Sequence, residues 1–423
     1  MTNTAHSPTP ALPFRRTARR AAVARTAALG AALALTLTAC ATADPAAAPA
    51  AEEVVDSDVR EVGSPDPRAV ISYDGGVLVV DAGSLEVLAD ISLDEPVRIA
   101  PAGDGRHVAL NDASGIRMLD TGTWTESHDD HGHSYVSDPA MTEVAFPMSE
   151  PGHVVPHGDR TALFSDGDGT VTVLDPHDIA DGDPETEVVT LPTAHHGVAV
   201  VLEDGTLVVT EGTEEDRTTV VAQSADGAEL ARTDECPRVH GETAAADEHL
   251  VFGCAGGVVV YGDGAFTTVA APDAAASIGT ARGTEQSPIV LTNYAIEGDD
   301  TARVALVDTV AGTMRLVELP AAYASTGLAM TDAGTGLVVG TDGVLRAIDA
   351  ETGAITSETP VVAEWEVPED YTEPRPSVTV LGGLAWITEP ATDTVHIVDL
   401  DELAVIDSIG VPQTPNQLVV VSG

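Results

Sequence analysis

Gly343-Val-Leu-Arg-Ala-Ile-Asp349, the turn Ala350-Glu-Thr-Gly353 and Ile355-Thr-Ser357 read as one β-strand, a tight turn and its pairing strand. Apolar and β-branched residues run up to a closing aspartate, and the turn then supplies a glycine. The same form recurs as Gly76-Val-Leu-Val-Val-Asp81, Gly115-Ile-Arg-Met-Leu-Asp120 and Gly169-Thr-Val-Thr-Val-Leu-Asp175. Further copies are Val258-Val-Val-Tyr261, Arg303-Val-Ala-Leu-Val-Asp308 and Val395-His-Ile-Val-Asp399, with a weaker one at Thr218-Thr-Val-Val-Ala222. These eight copies lie about 40 to 54 residues apart, with hardly any helical periodicity between them.

Short antiparallel strands repeated in fours at this period are the signature of a β-propeller blade. The fold class is therefore all-β: a β-propeller over residues 68–423 with eight four-stranded blades, seven being the alternative. The Asp-terminated strand is the third of each blade, and a fourth strand is expected directly after it. Asn416-Gln-Leu-Val-Val-Val421 resembles an innermost strand with no successors. Ala69–Tyr73 and Val77–Asp81 resemble later strands with no innermost one, so the two chain ends are expected to complete one blade together.

The first 39 residues read as an export signal. Arg15, Arg16, Arg19, Arg20 and Arg25 precede a short apolar run from Thr26 to Thr38, and Leu37-Thr38-Ala39-Cys40 forms a lipobox. Cys40 would be lipidated and become the first mature residue; an ordinary signal peptide with an incidental cysteine is the alternative. Residues 40–67, rich in Ala and Pro and then acidic, read as a flexible tether. The protein is thus expected outside the cytoplasm, lipid-anchored to the outer face of the cytoplasmic membrane. There is no lysine in the chain, and loss of the five signal arginines from its 19 basic residues leaves 14 against 68 acidic ones. Such a surface repels nucleic acid and concentrates cations, although an acidic proteome would explain most of the charge.

Histidines recur with the blades. His153, His196 and His240 follow one another at intervals of 43 and 44 residues, each at the start of an expected innermost strand. Innermost strands line a propeller's channel, so the three are expected side by side at one mouth. Glu242, two residues after His240, would face the same way by strand alternation. Neutral imidazoles completed by a carboxylate suit zinc. His195 and His157 are supplementary ligand candidates, with a turn role the alternative for His157 before Gly158-Asp159. His107, His249, His396 and His177 are expected to be structural.

A second cluster, His128-Asp-Asp-His131-Gly-His133-Ser-Tyr135, lies in an insertion between the blade of Arg98 and that of His153, after a fourth strand. Such a flexible run can wrap a borderline metal, at lower affinity because ordering it costs entropy, and a solvated loop is the alternative. Asp166-Gly-Asp168-Gly169 lacks the remaining ligands of a calcium loop and reads as a hairpin turn. Cys236 and Cys254 form an even pair in an exported chain, which suggests a disulfide bracing the His240 segment. A pair of thiolate metal ligands is the alternative.

These motifs together resemble those of the AztD-type periplasmic zinc metallochaperones that accompany a zinc ABC importer. The resemblance rests on His128-Asp-Asp-His131-Gly-His133-Ser-Tyr, Gly152-His153-Val-Val-Pro-His157, His195-His196-Gly-Val-Ala-Val, Cys236-Pro-Arg-Val-His240-Gly-Glu242 and Phe252-Gly-Cys254, in order over roughly residues 70 to 420. It implies a zinc-binding propeller that delivers zinc to the transporter's solute-binding protein, with the 128–133 segment assisting acquisition or transfer. The lipobox and tether depart from the periplasmic pattern. A monomeric, non-enzymatic protein is expected. Two other classes stay open: a metal-dependent lactonase-like hydrolase, against which no Ser/His/Asp motif or dedicated base is found, and a metal-independent adhesion or scaffold lipoprotein.

Overall fold

The computed structural model of the protein describes residues 59–128 and 131–423. The expected signal, Cys40 and most of the tether lie outside these residues. Among them, no helix is long and apolar enough to cross a membrane, and helical structure is confined to three short 3-10 segments.

The repeat seen in sequence is a repeat of antiparallel sheets. Among the described residues, seven sheets have four strands and one has five, and a separate three-stranded sheet carries the inserted segment. Within the quoted stretch, Val344–Asp349 pairs with Thr335–Gly340 on one side and Ile355–Pro360 on the other, which makes it the third strand of its sheet. Arg346, in the middle of this strand, is 3 % exposed. Arg346 stays inside because its guanidinium reaches Asp342 at 2.5 Å and Glu358 at 2.9 Å, so its charge is paired. Gly343 opens the strand at φ +76°, where an added Cβ would run into the Val362 carbonyl.

Burial falls from the second and third strands outward. Gly76–Asp81 is buried almost throughout, while its outer neighbour Val87–Ser92 alternates between half-buried and exposed. Core clusters are shared between adjacent sheets: Val200, Val208 and Val220 of one pack with Leu250, Phe252 and Val259 of the next. A sheet with both faces apolar must be covered on both sides, and flanking sheets provide the cover. Innermost strands meet their neighbours around a ring, Leu418–Val421 touching both Arg98–Pro101 and Val378–Leu381. The chain ends do share one sheet, since Leu418–Val421 pairs with Arg68–Tyr73, Val421 opposite Arg68. The result is an all-β, propeller-like ring of four-stranded sheets.

Two expectations need correction. The histidine-rich insertion does not follow a fourth strand but interrupts its sheet between the third strand, Gly115–Asp120, and the outer strand, Ala140–Pro147. It is also no loop: Thr123–His128 and His131–Val136 form a β-hairpin. Aromatic packing explains why so polar a segment is ordered. Trp124 stacks on Tyr135 at 5.4 Å between ring centres, and Arg106, held by Asp120, lies 4.0 Å over the Trp124 ring. The tether expected to run to residue 67 carries a strand as well. Arg60–Val62 pairs with the hairpin strand His131–Val136 through backbone and polar groups, and so left no apolar signature in the sequence.

Candidate metal centre

Each of the three histidines stands at the leading end of an innermost strand, as expected, and local backbone irregularities aim two of them. His153 lies within Pro151–His157, where the register shifts between Pro151 and Val154. His240 opens His240–Ala244, where it shifts between His240 and Glu242 around Gly241 at φ +73°. Both are β-bulges, which insert an extra residue and turn side chains out of simple alternation. An added Cβ on Gly241 would meet the Gly279 carbonyl. His196 precedes Ala199–Val201.

The structure brings the three rings together. Centroids are 5.3 Å apart for His153 and His196, 5.7 Å for His153 and His240, and 5.1 Å for His196 and His240. One ring nitrogen from each lies within 4.8 Å of the other two. Tetrahedral binding at about 2.1 Å places donor nitrogens roughly 3.4 Å apart, so closure on an ion needs side-chain movement of roughly 1 to 1.5 Å.

The other nitrogens are occupied. Nδ1 of His196 is 2.7 Å from Asp166 Oδ2, and Nδ1 of His240 is 2.8 Å from the Gly279 carbonyl oxygen. Nδ1 of His153 is 3.4 Å from Glu242 Oε2. Three acceptors behind three rings fix the tautomer that leaves Nε2 as a lone-pair donor, the arrangement a metal ligand needs. Arginines hold the adjoining backbone: Arg98 donates to the Pro151 carbonyl at 2.5 Å and Arg217 to that of His196 at 3.2 Å. Asn111 donates to the Gly152 carbonyl at 3.0 Å.

Electrostatics differ among the rings. Burial opposes a proton on His153, but the charge and hydrogen bond of Glu242 and the charge of Asp166 outweigh it, so its pKa lies above histidine's ordinary value. Glu242 answers in the opposite sense: burial pushes its pKa up, yet His153 and, more weakly, Arg282 bring it below the usual carboxylate range. His240 is held below the ordinary value by burial and by its two histidine neighbours, against the Gly279 carbonyl.

Glu242, expected as a ligand by alternation from His240, therefore stands behind His153. The bulge at Gly241 is the physical reason, because it breaks the alternation on which that expectation rested. His195, a supplementary candidate, is fully buried, with Nδ1 2.9 Å from the Thr193 carbonyl oxygen and Nε2 3.3 Å from Thr210 Oγ1. His157 sits at the far end of the strand that starts beside His153, between Glu248 at 3.3 Å and Glu285 at 3.5 Å. Neither joins the cluster. Sequence reading missed Asp166 as a partner of His196, although it singled out the turn that carries it. The Gly279 carbonyl belongs to the backbone and has no side-chain signature.

The hairpin gathers a second group. His128 and His131 are directly paired across it, and His133 is two residues on, on the same face. Ring centroids are 6.0, 5.6 and 5.0 Å apart. Nδ1 of His133 is 2.6 Å from Glu61 Oε1. Strand direction separates this group from the first. Gly115–Asp120 starts at the end of its sheet where Arg98 meets the His153 segment, and the hairpin leaves from its opposite end. The hairpin is thus rooted a strand's length, roughly 20 Å, from the level of the channel cluster.

Cys236 and Cys254 are joined in a disulfide, both buried, with Cα atoms 4.9 Å apart. Gly253, next to Cys254, is paired with His240. The bridge ties down the segment that presents His240.

Fold and site together define a class: a propeller-like all-β protein holding three outwardly braced imidazoles at one mouth of its ring. No family model matches the sequence. The chain is similar to the zinc chaperone AztD of Citrobacter koseri, with 23% identity over 360 residues that span 82% of this chain and 84% of that protein. The crystal structure of Citrobacter koseri AztD superposes with a TM-score of 0.74 at 22% identity, covering 85% of this chain and 98% of that one. Sqt1 of Saccharomyces cerevisiae shares the fold more distantly, with a TM-score of 0.53 at 14% identity over 78% of this chain and 91% of its own. The likeness to AztD-type chaperones expected from the motifs is thereby shown.

Proposed function

We propose that this protein is a zinc chaperone whose cargo is held by His153, His196 and His240. Asp166, the Gly279 carbonyl and Glu242 orient the three rings, and a water or a donor from the receiving protein completes the tetrahedron. What supports this most is the convergence of three imidazoles from consecutive sheets, each with its second nitrogen on an acceptor. Zinc takes neutral imidazole readily, and a pre-gathered set of three with one open position allows both tight holding and exit by ligand exchange.

The recipient in this reading is the solute-binding protein of a zinc ABC transporter. The protein is a monomer anchored through lipidated Cys40 to the outer face of the cytoplasmic membrane, and its ring of sheets is an eight-bladed propeller spanning residues 68–423. The hairpin histidines His128, His131 and His133 form a second, weaker site that acquires metal. Its root at the other end of the strands argues against direct ligand sharing with the channel cluster in one molecule.

Elemental analysis of protein purified without added metal should find zinc in the native chain. The His153→Ala/His196→Ala/His240→Ala variant should lose one equivalent. Unchanged stoichiometry in that variant would end the channel assignment. Transfer is tested by mixing the loaded protein with an apo solute-binding protein and a competing chelator. Arrival of zinc no faster than free zinc would deliver it argues against delivery by contact.

A further inference from the structure

The strand Arg60–Val62 is three residues long and largely exposed. It docks on the hairpin with Arg60 opposite Val136, Glu61 opposite Tyr135 and Val62 opposite Ser134. So short an edge strand has few backbone bonds and little apolar contact to hold it. A side-chain bond at this seam therefore weighs heavily in whether the strand stays docked. Glu61 makes one: it lies diagonal to His133 on the shared face, and its Oε1 is 2.6 Å from His133 Nδ1.

We propose that Glu61 is a positioning residue of the hairpin metal site, and that a borderline divalent cation such as zinc, held by His128, His131 and His133, fastens the Arg60–Val62 strand to the hairpin. This rests on reading the hairpin as a metal site. By accepting the Nδ1 hydrogen, the carboxylate fixes the His133 tautomer and leaves Nε2 for the ion. It also makes the ring a better donor. The geometry needs no distant residue, because His128, His131 and His133 already share one face with centroids 5.0 to 6.0 Å apart.

The two events are coupled in both directions. If docking Glu61 strengthens metal binding, metal binding strengthens docking by the same factor. The strand is where the chain enters the ring of sheets from its N-terminal side. Undocking residues 59–67 lengthens that lead by roughly 30 Å at full extension. Metal at the hairpin therefore sets how far the ring stands from whatever holds the N-terminal segment.

The test uses the full chain with the channel cluster disabled by His153→Ala/His196→Ala/His240→Ala and, as an independent background, the unmutated chain preloaded with one equivalent of zinc. Zinc is titrated with and without Glu61→Gln, and amide hydrogen exchange over residues 60–62 is followed by mass spectrometry in the presence and absence of the metal. Glu61→Gln should weaken hairpin binding about tenfold, the low end for an orienting partner because the pair is partly exposed. Saturating zinc should slow exchange over 60–62 in the parent and not in Glu61→Gln, a linkage that a purely structural glutamate does not produce. Equal zinc affinity with and without Glu61→Gln, or exchange indifferent to zinc, overturns the inference and leaves the hairpin site standing. No zinc uptake by either background overturns the hairpin site and this inference with it.

Discussion

The channel cluster and the hairpin cluster each bring three histidines within about one ring diameter of each other, by opposite means. His153, His196 and His240 come from three sheets, and every spare nitrogen is met by a group from elsewhere in the chain: Asp166, Gly279 and Glu242. His128, His131 and His133 come from six consecutive positions, held by one two-stranded turn of chain and by Glu61. In the first, the whole ring of sheets brings the donors to within 4.8 Å of one another; in the second, two paired strands and one aromatic stack carry them on a single face. Prior ordering raises affinity because binding then costs less conformational entropy. The difference teaches that similar donor sets can be gathered either from distant parts of a fold or from one short stretch of it.

The sharpest way to break this contrast is to remove donors from each side separately. The triple alanine variant of the channel should lose affinity for the tightest zinc on the order of a thousandfold or more, measured by chelator competition, because a multi-ligand zinc site is worth many kcal/mol. The corresponding hairpin variant should leave that affinity within about twofold. Next in size, Cys236→Ala/Cys254→Ala should lower unfolding stability by roughly 3 kcal/mol, from the entropy of a closed loop of 18 residues. Denaturant titration reads it, and the hairpin's zinc binding should not change.

Asp166→Asn, which keeps the shape of the turn and removes the charge behind His196, should weaken channel binding roughly 10- to 100-fold. Isothermal titration would show it, and an unaltered constant would reduce Asp166 to a turn residue. The effect of pH is smaller and has a definite sign. The His153 pKa is raised, so the proton stabilises the apo fold fully below the unfolded value near about 6.5. That contribution is lost as pH rises through the folded value. A metal must displace this proton, so channel affinity falls as pH drops through the raised value, starting at higher pH than for an ordinary histidine. Glu242→Gln should move the midpoint of that fall to lower pH in zinc titrations run across pH 5 to 8, a window set by ordinary histidine chemistry.

Much of this was readable from the chain alone, for a definite reason. The aspartates closing Gly76–Asp81, Gly115–Asp120 and Val344–Asp349 mark third strands because a two-sided apolar strand has to stop somewhere polar. Once that phase is known, His153, His196 and His240 fall at one level. What stayed hidden was set by geometry that periodicity does not carry. The bulge at Gly241 moved Glu242 behind His153, and Asp166 reaches His196 across 30 residues from a turn that looked complete in itself. The hairpin and the Arg60–Val62 strand are held by backbone pairing, by one tryptophan under an arginine and by the Glu61–His133 bond, so an apolar pattern had nothing to report.

One sheet contains residues from both extremities, with Val421 beside Arg68. Because that pairing joins positions more than three hundred residues apart, closing the circle costs more loop entropy than forming any sheet of neighbouring hairpins. Sheets made of consecutive hairpins can therefore form before this one, and the ring locks only when the long-range pair closes. Trimming only the final strand should leave an open arc of sheets that never tightens.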